Sequence, residues 1–273
     1  MRLPIYQLDA FTDRAFGGNP AAVCLLDDWL DDATLQAIAL ENNLSETAFL
    51  VAGDNGDYEL RWFTPTLEID LCGHATLASA WLILHRLTPD RAEVGFATRS
   101  GRLTVRRSDS GLRMDFPADP PASIRMPHGL EAVLGVMPEA VLMGRYCMAV
   151  LATEAEVRAM APDLDGIGEL TAGHLIVTAK GAQVDFVSRF FAPGSGIAED
   201  PVTGSAHCIL APYWAKRLGK RSLTARQVSA RGGELRCTLD GDRVGLTGSC
   251  TFYMEGWIEI PDGGCPSPRQ AAD

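Results

Sequence analysis

The chain has 273 residues, enough for one large domain or two ordinary ones, and 47% of them are hydrophobic against 22% charged, the balance of a globular protein with a full core. Its 24 basic and 35 acidic residues leave a net charge of -11, which argues against nucleic acid or an anionic membrane as a partner. Gln7, Asp9, Asp13 and Arg14 interrupt the apolar core that a secretory leader needs, and the uncharged run at 75–84 is only about half of a ~20-residue membrane span. Seven scattered cysteines without a C-x-x-C pair fit reduced thiols better than a disulfide framework or a structural zinc site. A cytoplasmic protein is expected.

Residues 3–10 and 21–26 alternate or run apolar and read as strands, with turn chemistry at Phe16-Gly17-Gly18-Asn19-Pro20 between them. The two glycines lack the Gly-Lys-Ser/Thr ending of a phosphate loop, so nucleotide binding there is weakly supported. Asp31-Asp32 caps a helix over 33–41 whose Leu35, Ile38 and Ala39 share a face, and Asn42-Asn43 ends it. A strand follows over 44–51 and carries Glu46 at its entry. Read locally, Glu46 is a strand-end charge in water; the sharper alternative is an acid/base whose pKa is raised by apolar neighbours. Tyr58–Phe63 is a strand and 64–71 an irregular loop. Cys72-Gly73-His74 then opens the run at 75–84, which reads as a helix buried on all sides.

The stretch Glu199-Asp200-Pro201-Val202-Thr203-Gly204-Ser205-Ala206-His207 has the same design, an entry turn ahead of an apolar helix over 206–215. Open N–H groups at such a helix start, with the positive end of its dipole, make a site for a small carboxylate near Asp200, Ser205 and His207. The likeness extends further. Arg61-Trp62-Phe63-Thr64-Pro65 matches Arg189-Phe190-Phe191-Ala192-Pro193, Gly73-His74-Ala75 matches Gly204-Ser205-Ala206, and residues 101–105 and 112–114 lie over 233–237 and 244–246. Residues 108–111 and 240–242 are the matching hairpin turns. The chain is therefore read as a duplicated α+β fold of two curled, mostly antiparallel sheets, each around a central apolar helix. The boundary is placed in the Pro-rich stretch 117–127, giving halves 1–117 and 118–273; the last strand, 252–260, is open to either half, and 261–273 is expected to fray. A pseudo-twofold relation would bring both helix starts to one cleft, lined by Cys72, Gly73 and His74 and by Asp200, Gly204, Ser205 and His207.

Several chemistries fail on these residues. A two-thiol racemase needs an acid/base opposite Cys72, but the equivalent position is Thr203, and Cys208 lies inside the second helix as a core cysteine. A serine hydrolase at Ser205 lacks the second Gly of a nucleophile elbow, and His207 points away. A metal site from Cys72, His74, His207 and Cys208 lacks a recognised ligand spacing. No Rossmann or haem motif implies a cofactor. What remains is proton transfer by Glu46, Asp200 and His74 beside an anion-binding pair of helix ends. His207 is read as a simple helix-start cap or a satisfied polar group.

Asp9-Ala10-Phe11, Gly17-Gly18-Asn19-Pro20, Ser45-Glu46-Thr47, Asp70-Leu71-Cys72-Gly73-His74-Ala75-Thr76 and Glu199 through Ala206 together resemble the PhzF family of phenazine-biosynthesis-like proteins over nearly the whole chain. The resemblance implies the duplicated fold of diaminopimelate epimerase and a cofactor-independent isomerase in which a glutamate shuttles a proton between carbons of a small cyclic or unsaturated carboxylic acid. That glutamate matches Glu46, its supporting histidine His74, its aspartate Asp200 and its helix-start serine Ser205. The substrate carboxylate would be held by Cys72, Gly73, Thr203, Gly204 and Ser205, and a homodimer is implied. An epimerase or racemase using Cys72, or a non-catalytic binding protein on the same fold, are the alternatives. The stretches 117–127 and 164–173 are the expected substrate-shaping loops.

Overall fold

The computed structural model describes residues 1–260; the tail expected to fray and Cys265 lie outside the described residues. Internal contacts divide the chain into two units. The first holds Met1–Ala10, Pro20–Arg107 and the strand that begins at Cys250; the second holds Phe11–Asn19 and Ser108–Ser249.

In the first unit the elements are β1 (Arg2–Ala10), β2 (Asn19–Leu26), α1 (Asp32–Asn42), β3 (Glu46–Ala52), β4 (Tyr58–Phe63), β5 (Glu68–Ile69), α2 (Gly73–Leu82), β6 (Glu93–Thr98) and β7 (Gly101–Ser108). In the second they are β8 (Gly111–Pro117), β9 (Ala122–Ser123), α3 (Leu130–Leu134), β10 (Ala140–Met143), β11 (Cys147–Val150), α4 (Glu154–Ala159), α5 (Leu164–Leu170), β12 (Leu175–Lys180), β13 (Phe186–Ala192), β14 (Ile197–Asp200), α6 (Gly204–Leu218), β15 (Ser222–Gln227), β16 (Gly233–Asp240) and β17 (Arg243–Gly248). The last strand, β18 (Cys250–Glu259), returns to the first unit and pairs antiparallel with β1 from Arg2↔Glu259 to Ala10↔Cys250.

The pairing pattern repeats strand for strand. β2 runs parallel to β3, β3 antiparallel to β4, β4 antiparallel to β5 and parallel to β6, and β6 antiparallel to β7. The second unit gives β11, β12, β13, β14, β15 and β16 those same relations in that order. The sheets are mostly antiparallel, and the α+β duplication read from the sequence holds. The division differs from the expected one. The chain passes between units at 107/108, not at 117/118, because β8 joins the second sheet by pairing with β17 from Leu112↔Gly248 to Pro117↔Arg243. Two other segments also depart from expectation. The loop over 64–71 contains β5, and 164–173 is largely the helix α5, whose Asp163 caps the N–H of Asp165.

Each unit is built around its apolar helix. In α2, residues Ala75, Leu77, Ala78, Ala80 and Leu82 are wholly buried, and the helix packs on β1, β3 and β18. Its buried hydroxyls are satisfied within the helix, Thr76 donating to the Cys72 carbonyl and Ser79 to that of Ala75. Helix α6 packs on β15, β16 and β17 and ends at Gly219 in the left-handed region, φ 66°. Pro212 lies inside it and cannot donate to the Cys208 carbonyl; the N–H of Asp119 does so instead, at 3.0 Å.

One contact holds the turn before each helix. Arg61 on β4 grips Glu68 on β5 with two bonds of 2.7 Å, and Arg189 on β13 grips Glu199 on β14 with bonds of 2.7 and 2.8 Å. Both forks are largely shielded, which makes the loss of one partner costly because the other charge stays behind in a low dielectric. Replacing Arg189 by Met is expected to cost about 2–4 kcal/mol in urea unfolding, and the Arg189→Met/Glu199→Met double variant less than the sum of the two single changes. Additive losses would show that the fork contributes nothing as a pair.

Candidate active site

Glu46 owes its position to the end of α1. The helix is capped at its start by Asp31, whose carboxylate accepts the Thr34 N–H at 2.9 Å, and it stops at Asn43, which adopts the left-handed conformation, φ 48°. The chain then enters β3 at Glu46, opposite Ala21 of β2. At the other side of the niche, Cys72 sits extended at the N-cap of α2 and makes no side-chain cap bond; His74, the second residue of the helix, is 3% exposed.

These three side chains meet. His74 Nε2 lies 3.0 Å from Glu46 Oε2, an ion-pair contact, and His74 Nδ1 lies 3.5 Å from Cys72 Sγ. Glu46 keeps 16% of its side chain exposed, so the carboxylate is the member that opens outward. Burial opposes a charge on His74, but its contacts with Cys72 and with the Glu46 carboxylate, on either side, outweigh it and hold the imidazole well above its usual 6.5. Burial also pushes the Cys72 thiol up, and the Glu46 carboxylate adds to that shift. All three donor atoms fall within 4.8 Å of one another, close enough to share a cation. The imidazole, however, turns one nitrogen to the thiol and the other to the carboxylate, so one ion cannot take all three as they stand. The arrangement is a contiguous carboxylate–imidazole–thiol cluster with the buried imidazole at its centre.

In the second unit the expected residues gather at the start of α6. Asp200 accepts from Asn19 Nδ2 at 2.7 Å and from the Thr203 hydroxyl at 2.5 Å, and Asn19 also donates to the Val202 carbonyl at 3.0 Å. The wholly buried Gln227 donates to the Asp200 carbonyl at 2.7 Å and accepts the Thr203 N–H at 2.9 Å. Asp200 is therefore built into the turn that starts the helix. No side chain caps the first N–H groups of α6 from the N-cap Thr203, and Ser205 is partly exposed, its Oγ 3.4 Å from the Tyr146 hydroxyl.

His207 does not cap the helix; it is a buried polar group inside the first turns of α6. Its Nδ1 donates to the Thr203 carbonyl at 2.7 Å, its ring faces Phe186, and burial lowers its pKa to about 4. It is wholly buried, and so does not line the expected cleft with Ser205. Cys208 is a core cysteine, its thiol raised to about 12 by burial. Sequence reasoning missed two side chains. Tyr146 packs edge-on against Phe190 at 5.0 Å, and His174 lies 5.4 Å from Tyr146, fixed by bonds to the Ala172 carbonyl and the Ser195 hydroxyl. The one signal for them was Phe190, the repeat partner of Trp62.

The site class is thus a carboxylate–imidazole–thiol cluster on a duplicated α+β fold. A family model described as phenazine biosynthesis-like protein, PhzC-PhzF, matches residues 8–256. An uncharacterized isomerase of Pseudomonas aeruginosa is 53% identical over 260 residues, covering 95% of this chain and all of its own. A PhzF-family crystal structure from Enterococcus faecalis superposes with a TM-score of 0.92 at 44% identity, over 95% of this chain and 100% of the other. A phenazine biosynthesis PhzC/PhzF structure from Clostridium difficile gives 0.87 at 42%, over 94% and 100%. The chain belongs to the PhzF family of phenazine-biosynthesis-like proteins.

The two buried histidines make opposite pH statements. His74 gains a proton's worth of stability on folding, present below about 6.5 and lost as pH rises through its raised value; His207 favours the fold above about 6.5 and loses that contribution as pH falls toward about 4. NMR titration of labelled imidazoles is expected to find His74 still protonated at neutral pH and His207 neutral until about pH 4. A His74 that titrates below 6.5 contradicts this reading of the cluster.

Proposed function

We propose that the protein is a cofactor-independent isomerase that moves a proton between carbons of a small cyclic or unsaturated carboxylic acid. The observation that carries this reading is the Glu46 carboxylate, partly open on one side and held by the His74 imidazole at 3.0 Å on the other. Glu46 takes the proton as the substrate C–H bond breaks and the electron pair enters the conjugated system. The double bond shifts, and the carboxyl group, whose proton exchanges with water while it waits, returns a proton to the second carbon, so no oxidant or reductant is consumed. His74 orients the carboxylate and supplies positive charge beside the proton in transit. In the first unit the N–H groups at the start of α2, at Gly73 with Cys72 at the N-cap, suit a carboxylate and the charge that builds on it; in the second unit the start of α6, at Gly204 and Ser205 with Thr203 at the N-cap, has the same character. Asp200 assists by fixing the turn that presents Gly204 and Ser205.

Membership of the PhzF family supports an isomerase, as does the name of the Pseudomonas relative. No helix among the described residues is long and apolar enough to cross a membrane. A cytoplasmic homodimer that binds no nucleic acid is part of the same proposal, supported by buried cysteines and the net charge of -11. An epimerase using Cys72 is less supported, because the raised thiol pKa leaves little thiolate at neutral pH.

Glu46→Gln is expected to lower solvent-deuterium incorporation into a turned-over acid about 10²–10⁴-fold, while Cys72→Ser stays within about tenfold of the parent. Full turnover by Glu46→Gln removes the proposal. Loss confined to Cys72→Ser, with inactivation by iodoacetamide, moves the chemistry to the thiol.

A further inference from the structure

The second unit contains an open cavity of about 830 Å³ that includes none of the residues assigned above to proton transfer or substrate binding. Its floor is the outward face of β15, β16 and β17. Along these strands Leu223, Ala225, Leu235 and Cys237 turn inward and are buried, whereas Thr224, Arg226, Glu234 and Arg236 turn outward and line the cavity. The segment from Phe11 to Arg14 forms one wall, tied to the sheet where the Glu234 N–H donates to the Phe11 carbonyl at 2.9 Å. Gly233 allows this close approach, since a Cβ there would stand 3.0 Å from the Phe11 carbonyl oxygen and 2.4 Å from Val202 Cγ2.

The charge of the lining reverses that of the chain. Arg14, Arg158, Arg226, Arg231 and Arg236 face two acids, Asp13 and Glu234, in a protein with an excess of carboxylates. Three of the arginines are engaged: Arg158 with Glu154, Arg226 with Glu234 at 2.8 Å, and Arg231 with the carbonyls of Gly17 and Gly18 at 3.0 and 2.8 Å. The guanidinium groups of Arg14 and Arg236 have no such partner among the described residues. Directly across from Arg236 stand Thr224 on β15 and Thr247 on β17, and neither is an acid. Thr247 is 7% exposed and lines the cavity. Two uncommitted guanidinium forks and a shielded hydroxyl in a cavity of ligand size form a receptor for an oxyanion.

We propose that this cavity binds a small multivalent oxyanion, a polyphosphate or a polycarboxylate, through Arg14 and Arg236, with Thr247 taking a further oxygen. Isothermal titration calorimetry of the intact protein with pyrophosphate and with citrate tests it. Saturable binding of at least one anion is expected, weakened about tenfold or more in each of Arg14→Ala and Arg236→Ala and by less in Thr247→Val, which leaves both charges in place. Preference for pyrophosphate assigns the phosphate class, and preference for citrate the carboxylate class. Absence of saturation below about 10 mM with either anion, or wild-type affinity in the Arg14→Ala/Arg236→Ala double variant, overturns the proposal.

Discussion

A buried imidazole must either give up its charge or find an anion to hold it, and the environment of His74 does the second. Glu46 and Cys72 occupy its two nitrogens, at 3.0 and 3.5 Å, in a niche where His74 is 3% exposed. His207 shows the other outcome on the same kind of helix. It has one carbonyl partner and an aromatic neighbour, and burial drives it neutral. The repeat thus placed similar entry turns in both units and gave only one of them a charge-bearing cluster. The function proposed for the protein depends on that difference, because a carboxylate that moves protons needs a partner that tolerates its change of charge.

The cluster in turn depends on backbone that cannot drift. Glu46 is fixed by the left-handed stop at Asn43 and by in-register pairing of β3 with β2 and β4. Cys72 and His74 are fixed by α2, whose all-apolar surface leaves it no solvent face to roll toward. The Arg61–Glu68 fork pins the strand pair that precedes this helix, and Arg189–Glu199 does the same ahead of α6. Asp200, Thr203, Asn19 and Gln227 complete the second turn as a closed hydrogen-bond network. In that network Asp200 orients the helix start, and Ser205 beside it stays partly exposed.

Much of this was readable in the sequence, for physical reasons that also mark the limit. Uncharged runs at 75–84 and 206–215 announce buried helices because no exposed helix is apolar all round, and matched motifs on either side announce the duplication. Glu46 was illegible locally, since its partner His74 is 28 residues away and the contact is tertiary. Only the family resemblance raised it above a solvated strand end. The Arg–Glu forks span seven and ten residues across loops, so no helical or strand periodicity signals them. The passage between units at 107/108 follows from β8 pairing with β17, a contact between strands more than a hundred residues apart. Tyr146 and His174 lie outside the repeated motifs, and nothing in their local sequence sets them apart from surface residues.

The most direct test of the central claim is a crystal structure of the protein with the small acid it turns over, or with an unreactive analogue of it. The account predicts that the carbon losing its proton lies within about 3.5 Å of a Glu46 carboxylate oxygen, with the His74 contact preserved behind it. A pose that places this carbon against the Cys72 sulfur, with Glu46 turned away, would contradict it.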